Sequence, residues 1–410
     1  MIRGRAPLVL AGAGWAASRL RDRRDRWDEP EPRRRRRRGG TVPWMVAGAA
    51  LGLGAAALAD ARRPALLDGR VALITGGSRG LGLQLAREFG QRGASVVICA
   101  REQDEIDRAV ADLEERGVRA RGVRCDIRDP ECAEGLVEEA IAAFGHLDFV
   151  VNNAGIIQVG PHETLSESHF RDAMETMFWA PLRISRAAIG PLERTRGSLV
   201  TITSIGGHLS VPHLLPYSCA KFAEVGLSEG LGAEVARRGV RVTTVVPGLM
   251  RTGSHKAAVF SGDPEHEYTW FSLGAGLPLV SVSAERAARR IVEAAARGRS
   301  YLVLTPLARA AIAARGLCPS FVQGAMRVMD RVLPDPGGPV ERRPGREADD
   351  TVVNRVLKLP TALNERAGGR LNQRDDEGGG ASGGREQGAD GSEGPGPDGP
   401  GPDGPREPGR

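Results

Sequence analysis

Between residues 66 and 304 the chain alternates short apolar runs with longer stretches in which apolar positions recur every three or four residues. The runs starting at 71 and spanning 95–100, 120–125, 147–151, 198–203, 240–246 and 301–304 have the length of strands, several of them rich in β-branched residues. Val71, Leu73 and Ile74 illustrate the type: bulky on successive positions, as in a strand covered on both faces of a parallel sheet. The intervening stretches predict helices over 102–116, from Asp129 to about 144, and over 284–297, the second opened by an N-capping Asp129 with Pro130 at the first helical position. Such alternation predicts an α/β fold, a doubly wound parallel sheet of about seven strands with helices on both faces. Right-handed crossovers then bring the carboxyl ends of the strands to one edge.

Both ends of the chain break this pattern. Residues 21–38 are dominated by arginine, with six in succession at 33–38, and an uncharged apolar run comes next at 42–59. Its 18 residues are just enough to cross a thin bilayer, although its Ala and Gly content makes insertion weak. A spanning anchor, a helix lying on a membrane or protein, and a dispensable extension compete for this run, with the anchor ahead. An arginine cluster holds its flank on the cytoplasmic side and would carry the folded domain across, so a shallow or hairpin-like insertion is expected instead, with that domain facing the cytoplasm. A cytoplasmic protein is the alternative. Beyond the sheet, 307–314 and 321–333 read as apolar-faced helices separated by Pro319 and stopped by Pro334-Asp-Pro-Gly-Gly338. The remainder turns Gly-, Asp- and Pro-rich and repeats Pro-Gly-Pro-Asp-Gly without glycine at every third place, which excludes collagen and predicts disorder. The expected organisation is an extension at 1–65, a folded domain at 66–305, a helical extension at 306–365 and a disordered tail at 366–410.

Apolar residues make up 41% of the 410, and the net charge is +6. The basic excess lies largely in the first 40 residues and no aromatic-interleaved basic face is visible, so nucleic-acid binding is excluded. Cys99, Cys125, Cys132, Cys219 and Cys318 form no CxxC pair and no zinc spacing with histidine, which predicts a reduced, metal-free protein.

The first strand runs into Thr75-Gly-Gly-Ser-Arg-Gly-Leu-Gly82 and then into helix-forming sequence from Leu83. Gly76, Gly80 and Gly82 permit a tight turn, close approach to a pyrophosphate and packing of the helix on the strand, while the free N–H groups of the helix start form an anion site. This TGxxxGxG spacing resembles that of the short-chain dehydrogenase/reductase family, and the resemblance covers roughly 66–305. It implies a Rossmann-like sheet and a dinucleotide cofactor touched by Thr75, Gly76, Ser78, Arg79, Gly80, Leu81 and Gly82. The residue closing strand two is Arg101 in Cys99-Ala100-Arg101, where a carboxylate would accept from the ribose hydroxyls and repel a 2′-phosphate. Arg101 and Arg79 together imply NADP. Asp126-Ile127 is similar to the family's adenine-contacting pair. Asn152-Asn153-Ala154-Gly155 is similar to its NNAG signature, with a structural role expected for Asn152 and a cofactor border for Asn153, Ala154 and Gly155. Pro247-Gly248-Leu-Met-Arg-Thr252 resembles its PGxxxT closure, which assigns Pro247, Gly248 and Thr252 to the cofactor as well.

Chemistry is expected at Ser204 and at Tyr217-Ser-Cys-Ala-Lys221. Tyr217 and Lys221 are four apart on a helix and share a face, where an ammonium favours a neighbouring phenolate. Ser204 precedes Tyr217 by 13 residues, the separation the family shows for its carbonyl-orienting hydroxyl. The resemblance implies proton transfer by Tyr217, orientation by Ser204, and assistance plus nicotinamide-ribose contact by Lys221. It also implies an asparagine about 27 residues before the serine, where this chain has Met177; a thioether accepts weakly and donates nothing, so the proton relay is in question.

The segment 253–282 brings Phe260, Tyr268, Trp270, Phe271, Leu277, Pro278 and Leu279 toward the substrate side, as core packing or as a lid over an apolar substrate. His255 and His266 are expected at the surface. The reading is an NADP-dependent oxidoreductase acting on a lipophilic carbonyl or alcohol, expected to assemble as a homo-oligomer. A membrane-attached NADP-binding regulatory or scaffold protein is the rival, and a sugar-nucleotide epimerase a further one that the glycine spacing disfavours.

Overall fold

A computed structural model of the chain describes residues 66–276, 281–335, 343–344 and 368–373. The apolar run at 42–59 lies outside them, and among the described residues no helix is long and apolar enough to cross a membrane.

The seven apolar runs form one parallel sheet: β1 (Val71–Thr75), β2 (Ser95–Ala100), β3 (Ala120–Arg124), β4 (Phe149–Asn152), β5 (Ser198–Ile202), β6 (Arg241–Val246) and β7 (Tyr301–Val303). Their order across the sheet is β7-β6-β5-β4-β1-β2-β3. β1 pairs with β2 on one side (Ile74 opposite Ile98) and with β4 on the other (Ile74 opposite Val151). The order therefore reverses beside β1, and the crevice at the carboxyl ends of β1 and β4 is where ligands bind in such sheets. The predicted strands stand within two residues of these limits; strand four starts later than expected, at Phe149.

Alternation along each strand divides the core into two layers. Ala72, Ile74, Val96 and Ile98 face α1 (Gly80–Gln91), which contributes Leu83, Leu85 and Phe89, together with Ile291 and Val292 further along the chain. α2 (Gln103–Glu115) closes the outer edge of this layer through Ala109 and Leu113. Val71, Leu73 and Val97 face the opposite way onto Leu136, Val137 and Ala140 of α3 (Pro130–Phe144). Each such fully buried aliphatic side chain contributes about 1.5–3 kcal/mol, so the two layers fix the carboxyl edge of the sheet rigidly. Asp129 caps α3 as expected, accepting from Glu131 N–H at 3.0 Å, and Gly145 ends it in the left-handed region at φ 83°.

Beyond β4 come α4 (Glu167–Met174), a wide π-type turn at Glu175–Trp179, and α5 (Ala180–Thr195). α6 (Leu215–Val235) follows β5, and α7 (Pro264–Gly276) and α8 (Ala284–Ala296) follow β6. α9 (Pro306–Leu317) and α10 (Pro319–Asp330) complete the described helices, parted at Pro319 as the sequence predicts.

Three expectations are corrected. Cys125 and Cys132 are joined in a disulfide, with Cα atoms 6.2 Å apart, because the end of β3 and the first turn of α3 meet side by side; a search for CxxC spacing passes over a pair separated by seven positions. His255 is buried, not exposed, and packs on the Tyr268 ring at 5.6 Å between centroids, whereas His266 is at the surface as expected. Residues 368–373, inside the segment expected to be disordered, form a short turn whose Leu371 is buried against Ala284.

Candidate active site

The glycine-rich turn is held from beneath by the loop after β4. Thr75 Oγ1 accepts from the N–H groups of Asn153 and Ala154 at 3.0 and 3.1 Å, and Asn153 Nδ2 donates to the carbonyls of Thr75 and Gly76 at 2.9 and 3.2 Å. Gly76 and Gly80 both adopt positive φ, 62° and 58°, where a side chain would be strained. A methyl group at Gly82 would overlap the Gly76 carbonyl, so the third glycine is dictated by close packing of helix on turn. No side chain caps the start of α1. Such a helix start is the kind of end that holds an anion, although its first N–H, that of Gly80, is engaged by the Leu371 carbonyl.

Around this turn the expected phosphate-reading groups are already engaged. Arg79 Nη1 donates to Glu105 Oε1 and Ser78 Oγ to Glu105 Oε2, both at 2.9 Å. Gly80 N–H donates to the Leu371 carbonyl at 2.9 Å, while Asn372 Nδ2 donates to the carbonyls of Ser78 and Glu105 at 3.0 and 3.1 Å. Arg108 Nε donates in turn to Asn372 Oδ1 at 3.1 Å. The 368–373 turn therefore sits on the turn expected to meet a pyrophosphate and takes the N–H of Gly80. Arg101 is exposed at the end of β2, its carbonyl accepting from Arg124 Nε at 3.2 Å. Asp126 is gripped by Arg128 at 2.6 Å, which, against partial burial, holds its carboxyl below the usual carboxylate range; Arg101 adds to this from further away. A shallow pocket beside it is lined by Val123, Asp126, Asp129, Leu136 and the Cys125–Cys132 pair. Asn152 is buried and donates to Ser185 Oγ at 3.0 Å, the structural role expected of it. Burial also pushes the Cys99 thiol, behind the turn, up to about 12, so it stays protonated.

At the other end of the crevice, Ser204 leaves β5 and accepts from Gly206 N–H at 3.0 Å, capping a single 3-10 turn. Gly206 separates Ser204 from Tyr217: a methyl built there would lie 3.4 Å from Ser204 Oγ and 3.0 Å from the Tyr217 ring. Lys221, one turn further along α6, stands 5.8 Å from the centroid of that ring. The structure thus brings Ser204, Tyr217 and Lys221 to one place. Met177 is fully buried in the π-type turn and packs with Ala173, Ala220 and Tyr217. Its sulfur lies on the same side of Gly155 as Lys221 Nζ. Pro247 fastens the 3-10 turn to the loop after β6, its carbonyl accepting from Ile205 N–H at 2.8 Å; Gly248 abuts Thr305, and Thr252 is buried.

Sequence reasoning missed Glu224. It is buried three residues beyond Lys221 and accepts from Lys221 Nζ at 2.7 Å, while Nζ also donates to the Ile202 carbonyl at 2.9 Å. The signal was present as an acidic residue one helical turn from the lysine, on the same face. On the side expected to face substrate, Phe260, Tyr268 and Phe271 pack together with Trp270 alongside. Trp270 Nε1 donates to buried Glu267, whose other oxygen meets His213 Nδ1 at 2.6 Å, so α7 is tied to the loop preceding Tyr217.

The chain matches the short chain dehydrogenase model over residues 70–259. It is 32% identical over 191 residues to the 3-oxoacyl-(acyl-carrier-protein) reductase FabG of Escherichia coli, covering 46% of this chain and 77% of that one. Dehydrogenase/reductase SDR family member 4 of Sus scrofa is 33% identical over 195 residues, 47% of this chain and 69% of its own. A longer match, 64% of this chain and 76% of the relative at 28% identity, is to 11-beta-hydroxysteroid dehydrogenase 1A of Arabidopsis thaliana. Among solved structures, a variant of the actinorhodin polyketide ketoreductase with NADPH aligns at TM-score 0.52 and 31% identity, covering 58% of this chain and 95% of that one. L-sorbose reductase from Gluconobacter frateurii, complexed with NADPH and L-sorbose, aligns at TM-score 0.54 and 25% identity over 59% and 97%. With a Rossmann-like sheet, a glycine-rich turn at its switch point and Ser204, Tyr217 and Lys221 gathered at one edge, the chain belongs to the short-chain dehydrogenase/reductase family of oxidoreductases.

Proposed function

We propose that the protein is an NADP-dependent reductase of lipophilic ketones or aldehydes, able to run in reverse as an alcohol dehydrogenase. The carrying observation is the convergence of Ser204 and Tyr217 on Gly206 with Lys221 behind the ring. The preference for NADP rests on Arg79 and Arg101 flanking the turn, with no carboxylate closing β2, and is supported by the NADPH in the two solved neighbours. The uncapped start of α1 and the glycines beneath it fit a dinucleotide pyrophosphate. Arg79 and Arg101 would hold the 2′-phosphate, Asp126 and Ile127 the adenine, and Lys221 the nicotinamide ribose. NADPH, when bound, supplies the hydride. The protein's own part is then to orient and protonate. Ser204 donates to the carbonyl oxygen and fixes its direction. Tyr217 delivers a proton to that oxygen as negative charge develops on it, and Lys221 steadies the phenolate left behind.

The apolar substrate class is supported by the Phe260, Tyr268, Trp270 and Phe271 cluster and by the hydroxysteroid dehydrogenase among the relatives. Attachment of the domain to the cytoplasmic face of a membrane through 42–59 belongs to the same reading; extraction of the full chain by salt or alkaline carbonate tests it. For the chemistry, NADPH and NADH are compared in calorimetric binding and in turnover of a panel of lipophilic ketones. Tighter binding of NADPH with turnover of at least one ketone is expected. Equal binding of both cofactors contradicts the NADP assignment, and absence of any turnover contradicts the reductase.

A further inference from the structure

An ammonium has three donors. Lys221 uses two inside the protein, one on the Ile202 carbonyl at 2.9 Å and one on Glu224 Oε2 at 2.7 Å. Those two bonds leave one for a ligand. Lys221 and Glu224 are 4% and 1% exposed. A carboxylate so removed from water is costly unless it is paired, and an apolar pair of the same volume would often serve the fold as well or better. The neighbouring buried positions of α6, Ala220, Val225 and Ser228, are small or apolar. The charge at 224 therefore has its reason in Lys221 itself.

Met177 sharpens this. A methyl built on Gly155 would lie 3.5 Å from Met177 Sδ and 4.0 Å from Lys221 Nζ, so the sulfur borders the space in front of the ammonium. A thioether offers that space only a weak acceptor. On α4 and the π-type turn, Glu175 pairs with Arg183, Arg171 with Glu167 and His169 with Ser166, and Asp172 acts on Arg128. On α6 itself Glu229 acts on His208 and Tyr301, and on β6 Arg241 is influenced by Arg70 and Asp148.

We infer that Glu224 is a positioning residue for Lys221: its buried carboxylate holds the ammonium beside Tyr217 and supplies the polar contact that Met177 does not. The inference rests on the oxidoreductase reading above. Burial pushes the Glu224 carboxyl up to about 7, against the pull of Lys221. Burial acts to lower Lys221, but Glu224, and Tyr217 after it, hold it above its ordinary value, so it stays charged. As pH falls through about 7 Glu224 becomes protonated and Lys221 loses its counter-charge, so kcat acquires an acid limb there.

The test compares the full chain with Glu224→Gln, Met177→Asn and the double variant, following kcat, KM and NADPH binding across pH. Glu224→Gln is expected to lower kcat about tenfold, the scale of one lost charge-assisted hydrogen bond, with NADPH affinity within about twofold and the acid limb near pH 7 abolished. In the Glu224→Gln background Met177→Asn should restore part of kcat by placing a carbonyl in the space before Lys221. A Glu224→Gln protein with unchanged kcat and an unchanged acid limb overturns the inference. So does a loss shared equally by kcat and NADPH affinity that Met177→Asn does not relieve, since that marks a packing residue. If Glu224→Gln does not fold, Glu224→Asp serves: it retains the acid limb if the carboxylate positions Lys221, and its loss of the limb with kcat unchanged contradicts this. A wild-type chain that neither binds NADPH nor reduces any ketone refutes the oxidoreductase reading; the carbon-13 carboxyl resonance of Glu224 then tests the pair by itself, a midpoint near 7 that shifts in Lys221→Met supporting it and an unshifted midpoint opposing it.

Discussion

The two ends of the crevice along the carboxyl edge of the sheet are built on opposite plans. At the glycine turn the charged groups are partly exposed and bound to partners that a ligand must displace: Arg79, with 41% of its side chain exposed, holds Glu105, and Gly80 N–H is taken by Leu371. Around Tyr217 the charges are buried and locked, with Lys221 fixed between Ile202 and Glu224. Exposed pairs contribute little to stability, about 0–1 kcal/mol, and exchange partners easily. Buried pairs are expensive to disturb in either direction. On the proposed function, the difference separates two tasks. Cofactor choice at the open end is adjustable by surface substitution, whereas the chemistry at the closed end depends on groups set in place before any ligand arrives.

The comparison is broken most severely at the closed end. Tyr217→Phe removes one hydroxyl and leaves the Ser204, Gly206 and Lys221 scaffold standing, so turnover should fall by about a hundredfold or more, the usual scale for losing a general acid. Steady-state kinetics with the best ketone, alongside unchanged NADPH binding, check this; retention of most activity would place proton transfer on another group. At the open end, Arg101→Asp removes the proposed phosphate partner and adds a repulsive charge next to Asp126. The ratio of NADPH to NADH affinity should drop about tenfold or more, as expected for a charge-assisted contact, and paired titrations with the two cofactors read it. An unchanged ratio would mean that the phosphate is held elsewhere.

The smallest expected effect sharpens the contrast. Leu371 is buried against Ala284, and its carbonyl uses the Gly80 N–H that the pyrophosphate would need. Leu371→Asp should release the 368–373 turn and tighten NADPH binding by about threefold, the scale of one ordinary hydrogen bond. Weaker binding in that variant would make the turn a part of the cofactor site instead of its competitor.

Legibility in the sequence divides along the same line. The five inner strands stood out as apolar runs, because burial on both faces leaves little freedom in composition, while the edge strands β3 and β7, read from the alternation, are only partly buried. Tyr217 and Lys221 were visible through helical spacing, which converts sequence separation directly into proximity, and Ser204 through the separation from the tyrosine that the resemblance implies. Glu224 was not singled out, although it obeys the same helical spacing, because an acidic residue on a helix is usually solvated and only the fold shows it buried. The contact of Leu371 and Asn372 with a turn nearly 300 positions away has no local signature, and lies in a glycine-rich stretch whose composition predicts disorder. Cys125 and Cys132 were missed for a related reason: their pairing depends on how β3 meets α3, not on a motif. His255 looked like a surface residue by type, yet the aromatic cluster around Tyr268 covers it.

The most direct test of hydride transfer with Tyr217 as proton donor is a single-turnover experiment on the full chain. NADPH deuterated at the transferable position of the nicotinamide is mixed with a lipophilic ketone, and the product alcohol is weighed by mass spectrometry for the wild type and for Tyr217→Phe. The wild type should place one deuterium on the former carbonyl carbon, and Tyr217→Phe should form the same labelled product about a hundredfold more slowly. Product without deuterium, or equal rates in the two proteins, would contradict this chemistry.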